Sequence, residues 1–159
     1  MHSWITLLRN FVCKQKESRR LFIDAVYKVS DLSDDSSLYL PYNLWDGVFL
    51  KEIEDWIKDE PYNPIPYKWS GDFQLMKKSL ELDPTDQQGL ARFGANLVSK
   101  INMNQHEIHA GFGYSGDPVS DIQDIQFFKP FLKNIENPEL RRSFTVELEE
   151  LESCALQFI

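Results

Sequence analysis

Cysteine is scarce in this chain. Cys13 and Cys154 are the only two among 159 residues, too few for the disulfide framework of a small secreted scaffold. A bond between them would close a long loop, but spacing alone does not bring them together, and the expected state is two reduced, semi-buried thiols. Long apolar runs are lacking as well. No stretch approaches the about 18 residues of a membrane-spanning helix, so no membrane contact is expected. Ile5 to Val12 is apolar in part, but Arg9 and Asn10 interrupt it and no small-residue cleavage site follows, which argues against a signal peptide. The expected location is the cytoplasm. Positive charge is in deficit, 17 Lys and Arg against 25 Asp and Glu, for a formal charge of −8. A surface of that sign repels phosphate backbones and anionic lipid, so no nucleic-acid binding is expected and a basic protein is the compatible partner. Catalytic signatures are missing too. Ser3, Ser115 and Ser143 stand in no nucleophile-elbow motif. Lys14 and Lys16 flank Cys13, yet apolar Phe11 and Val12 precede it, so burial competes with activation. No residue is assigned a catalytic role.

What the chain does have is apolar and aromatic material: 42% hydrophobic residues, with 11 Phe, 6 Tyr and 4 Trp. A domain of this length buries about two-thirds of its unfolded surface, so residues 1–159 are read as a single helical domain. Apolar residues at helical spacing predict helix from Ser3 to Val29, with Phe22, Ala25, Val26 and Val29 sharing a face; the polar stretch Lys14–Arg20 is either an exposed turn of one long helix or a break between two. Asp31–Ser37 reads as a loop. Asn43 is a cap for a helix from Leu44 to Asp59, with Trp45, Phe49, Ile53 and Trp56 on one stripe. The three prolines of Glu60–Trp69 predict extended or turn structure that packs on the body of the protein. Helices then follow over Gly71–Leu82, Asp83 to about Ile108, Asp117 onward and Asn137 onward. Three of these starts share one grammar, a capping Asp or Asn followed by Pro: Asp83-Pro84, Asp117-Pro118 and Asn137-Pro138. Pro130 should kink or split the helix it lies in. Gly94, within the stripe Leu90, Leu97, Val98 and Ile101, suits the close approach of a second helix at a propensity cost of about 1 kcal/mol. The fold expected is all-α, an antiparallel helical bundle or helical-repeat-like array of about six to seven helices.

One cluster could carry chemistry. His106 and His109, two of the three histidines, flank Glu107 and Ile108, with Tyr114 and Asp117 close behind. Residues three apart on a helix are neighbours, so both imidazoles could face one cation, with Asp117 or Glu107 as an oxygen ligand. The familiar zinc-protease spacing is four, not three, and the helix is expected to end near His109. The competing reading has His109 bonding the terminal carbonyls and His106 packed. The expectation is therefore no cofactor, with a divalent metal on His106, His109 and Asp117 as the alternative. Gly111, Gly113 and Gly116 spell G-x-G-x-x-G, but a helix precedes them where a dinucleotide loop needs a strand, and the nearest cations are Lys100 and Lys129. They read better as a turn between helices, pinned by Phe112 and Tyr114. Acidic residues crowd two helices: Glu52, Glu54, Asp55, Asp59 and Glu60 on one, Glu147, Glu149, Glu150 and Glu152 on the other. Each set is either a solvated face or a surface that steers a basic partner, and Glu52, Asp55, Asp59, Glu147 and Glu150 are the candidate contact residues. Trp45, Trp56, Trp69, Tyr62 and Tyr67 are residue types that anchor interfaces, but Trp45 and Trp56 are expected in the core.

The phrase SLELDPTD at Ser79–Asp86, followed by an amphipathic helix, resembles the junction inside tetratricopeptide repeats over about 30 residues, without a second copy at a 34-residue offset. The longer pattern SLELDPTDQQGLARF, then HEIHAGFGYSGDP, then an acidic helix, resembles a group of small uncharacterised bacterial proteins with a His, Gly-Tyr and Gly-Asp-Pro at these relative positions. That likeness spans roughly Leu75 to Leu151. It implies no activity, but small acidic proteins of this kind often accompany polymorphic toxins. Two functions of different class follow. One is a non-enzymatic interaction module, in its specific form an immunity-type inhibitor of a basic toxin. The other is a metal-dependent enzyme centred on His106 and His109. A helical scaffold without a ligand site is the third, plainer reading. Oligomeric state is not legible in the sequence.

Overall fold

The computed structural model describes residues 16–32, 49–108, 111 and 113–159. The regular structure among these residues is helical, without a strand, as the sequence predicts for an all-α chain. Seven α-helices lie among the described residues: α1 (Lys16–Leu32), α2 (Leu50–Asp59), α3 (Pro64–Trp69), α4 (Phe73–Leu82), α5 (Gln87–Gln105), α6 (Pro118–Phe128) and α7 (Pro138–Ala155). Short 3-10 helices follow α5 (His106–Ile108), α6 (Lys129–Asn134) and α7 (Leu156–Phe158). The chain forms two compact units, Met1–Ser79 and Leu80–Ile159.

In the first unit, Ile23, Tyr27, Phe49, Ile53 and Trp69 form one apolar cluster, edged by Phe22, Val26, Ile57 and Ile65. Trp69 is fully buried; its indole N–H donates to Asp24 Oδ1 at 2.9 Å, and Tyr27 stacks on it with ring centroids 4.5 Å apart. Beside this cluster Arg20 is buried within the continuous helix α1, although the sequence reads Lys14–Arg20 as an exposed turn or a break. Its guanidinium lies over the Trp56 ring and pairs with Glu52, Asp59 and Glu60. A planar, five-donor cation serves three carboxylates at once, and this is what makes its burial tolerable. The inward stripe of α1 therefore runs through Arg20, Ile23 and Tyr27; Ala25 and Val29, expected on it, are exposed. α1 also runs through Asp31 and Leu32, into the segment predicted as loop. Trp4, Cys13, Asn43 and Trp45 lie outside the described residues. Trp56 is buried, as expected.

The proline-rich segment corrects the sequence reading, because its second half is α3. Asn63 caps this helix, accepting from the Ile65 N–H at 3.0 Å. Pro64 is the first residue after the cap and Pro66 the third, positions whose amides have no intrahelical acceptor, so neither proline removes a hydrogen bond. Pro66, Tyr67, Lys68 and Trp69 are buried, so the segment does pack inward. Ser79 Oγ on α4 donates to the Pro64 carbonyl at 2.9 Å.

In the second unit, α5, α6 and α7 pack around Leu90, Phe93, Leu97, Ile101, Ile125, Phe128, Phe144 and Leu148, all buried. Each such side chain contributes roughly 1.5–3 kcal/mol by leaving water. The α5–α6 pairings run Asn104 to Asp121, Lys100 to Asp124 and Gln87 to Asn134, so α6 returns antiparallel to α5. Gly94 meets Phe144 and Gln105 meets Leu151, so α7 follows the sense of α5. Gly94 is thus the point of close helix approach that its sequence position predicts. Two of the three cap-plus-proline starts are found: Asp117 accepts from Val119 N–H and Asn137 from Glu139 and Leu140 N–H. The third shifts by three residues. Asp83 holds a turn by accepting from the Thr85 N–H and hydroxyl, and Asp86 caps α5 by accepting from Gln88 N–H. Pro130 splits its helix as expected: α6 ends at Phe128 and the 3-10 turn begins.

Candidate functional site

Charge is distributed unevenly between the two units. Residues 80–159 hold 13 of the 25 acids but 6 of the 17 Lys and Arg, a net of −7, which leaves −1 for residues 1–79. Within the second unit the charge concentrates on α7 beyond its first turns: Ser143 to Ile159 contains four Glu and no Lys or Arg.

The arrangement of α7 follows from its sequence period. Phe144, Leu148, Leu151 and Ala155 form the buried stripe. Glu147, Glu150 and Cys154, spaced three and four apart, form the stripe next to it. Two open grooves flank this second stripe. One, of about 540 Å³, lies between α5 and α7 and is lined by Val98, Asn102, Met103, His106, Phe144 and Glu147 among others. The other, of about 440 Å³, runs over the outer face of α7 past Val146, Glu149, Glu150, Ser153, Cys154 and Gln157. Met103 is 72% exposed and Val146 45%, so both grooves offer apolar surface beside carboxylates. Ser143 Oγ donates to Glu147 Oε1 at 2.6 Å. Glu149 and Glu150 are exposed and form no ion pair among the described residues. Glu152 is held by Lys129.

The acids of α2 have a different fate. Glu52 is buried and accepts from Arg19 Nε at 2.7 Å while facing Arg20. Asp59 pairs with Lys16 and Arg20, which, the Lys16 bond first, hold its carboxyl below the usual aspartate range. Hydrogen bonds from Asn63 and then Trp56 likewise lower Glu60 against the opposing effect of burial. Asp55 is half-buried, its carboxylate 3.4 Å from Lys58 Nζ. Glu52 and Asp59 thus bind cations of their own unit, whereas half-buried Glu147 and exposed Glu150 line grooves without an ion pair among the described residues.

The histidine loop is organised as a clasp. His106 is exposed on the 3-10 turn after α5; His109 lies outside the described residues; the Asp117 carboxylate caps α6. Among the described residues no three His, Cys, Asp or Glu side chains converge to hold a metal ion. What holds the loop is a polar cluster that the sequence reading does not identify. Asp121, 1% exposed, accepts from Tyr114 Oη at 2.6 Å and Asn104 Nδ2 at 2.7 Å. It lies 3.0 Å from Lys100 Nζ, which also donates to buried Asp124 at 2.6 Å. Burial, then the hydrogen bond to Asp121, pushes the Tyr114 phenol well above its usual value. For Lys100, burial alone acts downward, but Asp124 and Asp121 outweigh it and the net shift is upward. Ser115 N–H and Oγ both donate to the Asn104 carbonyl at 2.9 Å. Gly111 and Gly113 have φ of +83° and +86°, the left-handed region that favours glycine. Gly111 and Gly113 therefore serve the turn, and Tyr114 ties it to buried Asp121; Phe112, expected to pin it as well, lies outside the described residues. The signal for this cluster was present in the sequence: Asp121 and Asp124, three apart, interleave with the apolar stripe Ile122, Ile125 and Phe128.

Comparison with protein-family models, with curated proteins and with solved structures gives no match. Among the described residues no helix is long and apolar enough to cross a membrane.

Proposed function

We propose that this chain is a non-enzymatic protein–protein interaction module that uses the acidic face of α7 to hold a basic partner. The observation that carries this reading is the pairing of apolar grooves with Glu147, Glu149 and Glu150, carboxylates that no cation of the chain neutralises among the described residues. Interfaces of moderate size need an apolar centre for affinity and complementary charge for rapid, selective encounter, and α7 offers both on one helix. An immunity-type inhibitor of a basic toxin is the specific form we favour. Size, charge and the resemblance of Leu75–Leu151 to small acidic bacterial proteins are in keeping with it.

The test is affinity capture from source cells with the purified protein, at low and high salt, beside a variant carrying Glu147→Gln, Glu149→Gln and Glu150→Gln. The expected result is one basic protein, near-stoichiometric at low salt, released at high salt and not retained by the variant. Its activity, if toxic, is then assayed with and without the chain. Failure to find any partner below micromolar affinity, or retention unchanged by the triple substitution, removes the proposal.

A further inference from the structure

The form of the partner can be narrowed from the groove between α5 and α7. Its floor is Phe144, 6% exposed, and its rim is Met103, whose thioether side chain stands mostly in water. A flexible, polarisable Met beside an aromatic floor adapts to an inserted apolar side chain. The groove is open along its length. A small molecule would stay largely solvated there, whereas small-molecule sites enclose most of their ligand. A macromolecular segment brings its own cover.

Charge then selects among macromolecules. The α5–α7 groove is lined by Glu147 and no Lys or Arg, and Glu149 and Glu150 line the neighbouring groove of α7, again without a cation. A second copy of this chain would set those carboxylates against its own unit of net charge −7, and like charges facing each other in a symmetric contact oppose association. A nucleic acid or anionic lipid is repelled for the same reason. Between two helices that run in the same sense, the complementary object is a third helix with apolar residues on one face and cations beside them.

We infer that the α5–α7 groove receives a basic amphipathic helix of the partner, its apolar face on Met103 and Phe144 and its Lys or Arg residues beside Glu147, with Glu150 next along the same stripe of α7. This rests on the interaction reading of α7 and adds the shape of the occupant. The probe is a synthetic Leu/Lys peptide of about five helical turns, with Leu at i, i+3, i+4 and i+7. A scrambled peptide of identical composition has Leu spread around the helix. Binding of each to the full chain is measured by fluorescence anisotropy at low and high salt. The amphipathic peptide is expected to bind at least about tenfold more tightly than the scrambled one. Met103→Asp, at an exposed position that leaves the core intact, abolishes that difference. Glu147→Gln with Glu150→Gln weakens both peptides and flattens their salt dependence. Equal binding of the two peptides, or a Met103→Asp variant that still discriminates, overturns the groove assignment and leaves the acidic-surface reading standing. Absence of binding by either peptide at low salt overturns both.

Discussion

Gly94→Ala puts the packing of the second unit to a quantitative test. A methyl carbon built on Gly94 stands 2.6 Å from Phe144 Cε2 and 2.7 Å from Cζ, well inside van der Waals contact. The ring has little freedom to retreat, because it is buried and meets Phe128 edge-on with centroids 6.1 Å apart. Overpacking of this kind costs about 1–3 kcal/mol. Against it, alanine in a helix interior gains about 1 kcal/mol over glycine. The difference leaves a net destabilisation of about 1 kcal/mol, opposite in sign to the usual result of replacing a helical glycine. Urea unfolding followed by far-UV circular dichroism reads it, as a lower midpoint at unchanged slope. All four tryptophans precede residue 80, so fluorescence reports the first unit, and a midpoint that falls by circular dichroism alone would show that the units unfold separately. Phe144→Leu should be better tolerated in the Gly94→Ala background than alone, with a coupling of at least about 0.5 kcal/mol. A Gly94→Ala protein as stable as the parent, or more so, would refute the close-contact argument.

Four further outcomes are expected. Lys100 and Tyr114 hold their protons more tightly in the folded chain than their usual values; their contribution is full below about pH 10 and disappears as pH rises through the folded values. Alkaline titration should then show tyrosinate absorbance appearing with loss of helix, and Tyr114→Phe should remove that linked component. The lowered Asp59 and Glu60 carboxyls act in the opposite window: their contribution is present above the usual carboxylate range and is lost as pH falls through their folded values, so tryptophan fluorescence should report acid loosening of the first unit. Arg20→Met leaves buried Glu52 with Arg19 as its cation and should destabilise by about 3 kcal/mol, the low end for a broken buried pair; adding Glu52→Gln should recover part of it in the same urea assay. Asn63→Ala removes the cap of α3 and should lower stability by about 1 kcal/mol, and a variant indistinguishable from the parent would count against the capping role.

Much of the helical plan is legible in the sequence, because local rules decide it. Apolar periodicity places α5, α6 and α7. A carboxylate or amide side chain before proline starts α6 and α7, since it satisfies amides that the helix leaves open. Pro130 ends α6 for an equally local reason. The missed α3 is instructive. Counting prolines predicts no helix, while their register relative to Asn63 permits one. Likewise two Asp–x–x sequences compete to start α5, and only the folded chain chooses Asp86 over Asp83.

The candidate surface is legible only in outline. The sequence marks two acidic helices as equivalents. Tertiary packing separates them: Arg19, Arg20 and Lys16 of α1 claim Glu52 and Asp59, while α7 turns Glu147 and Glu150 toward open grooves. Spacing within one helix cannot show which cations another helix will bring. The same limit hides the Lys100–Asp121–Tyr114 cluster, whose members come from α5, the glycine loop and α6. Composition and periodicity alone determined an acidic, all-helical chain with a turn between α5 and α6, because those depend on neighbours in sequence. Which face of each helix is buried, and which carboxylates stay free, was decided by tertiary structure, because burial and charge pairing depend on neighbours in space.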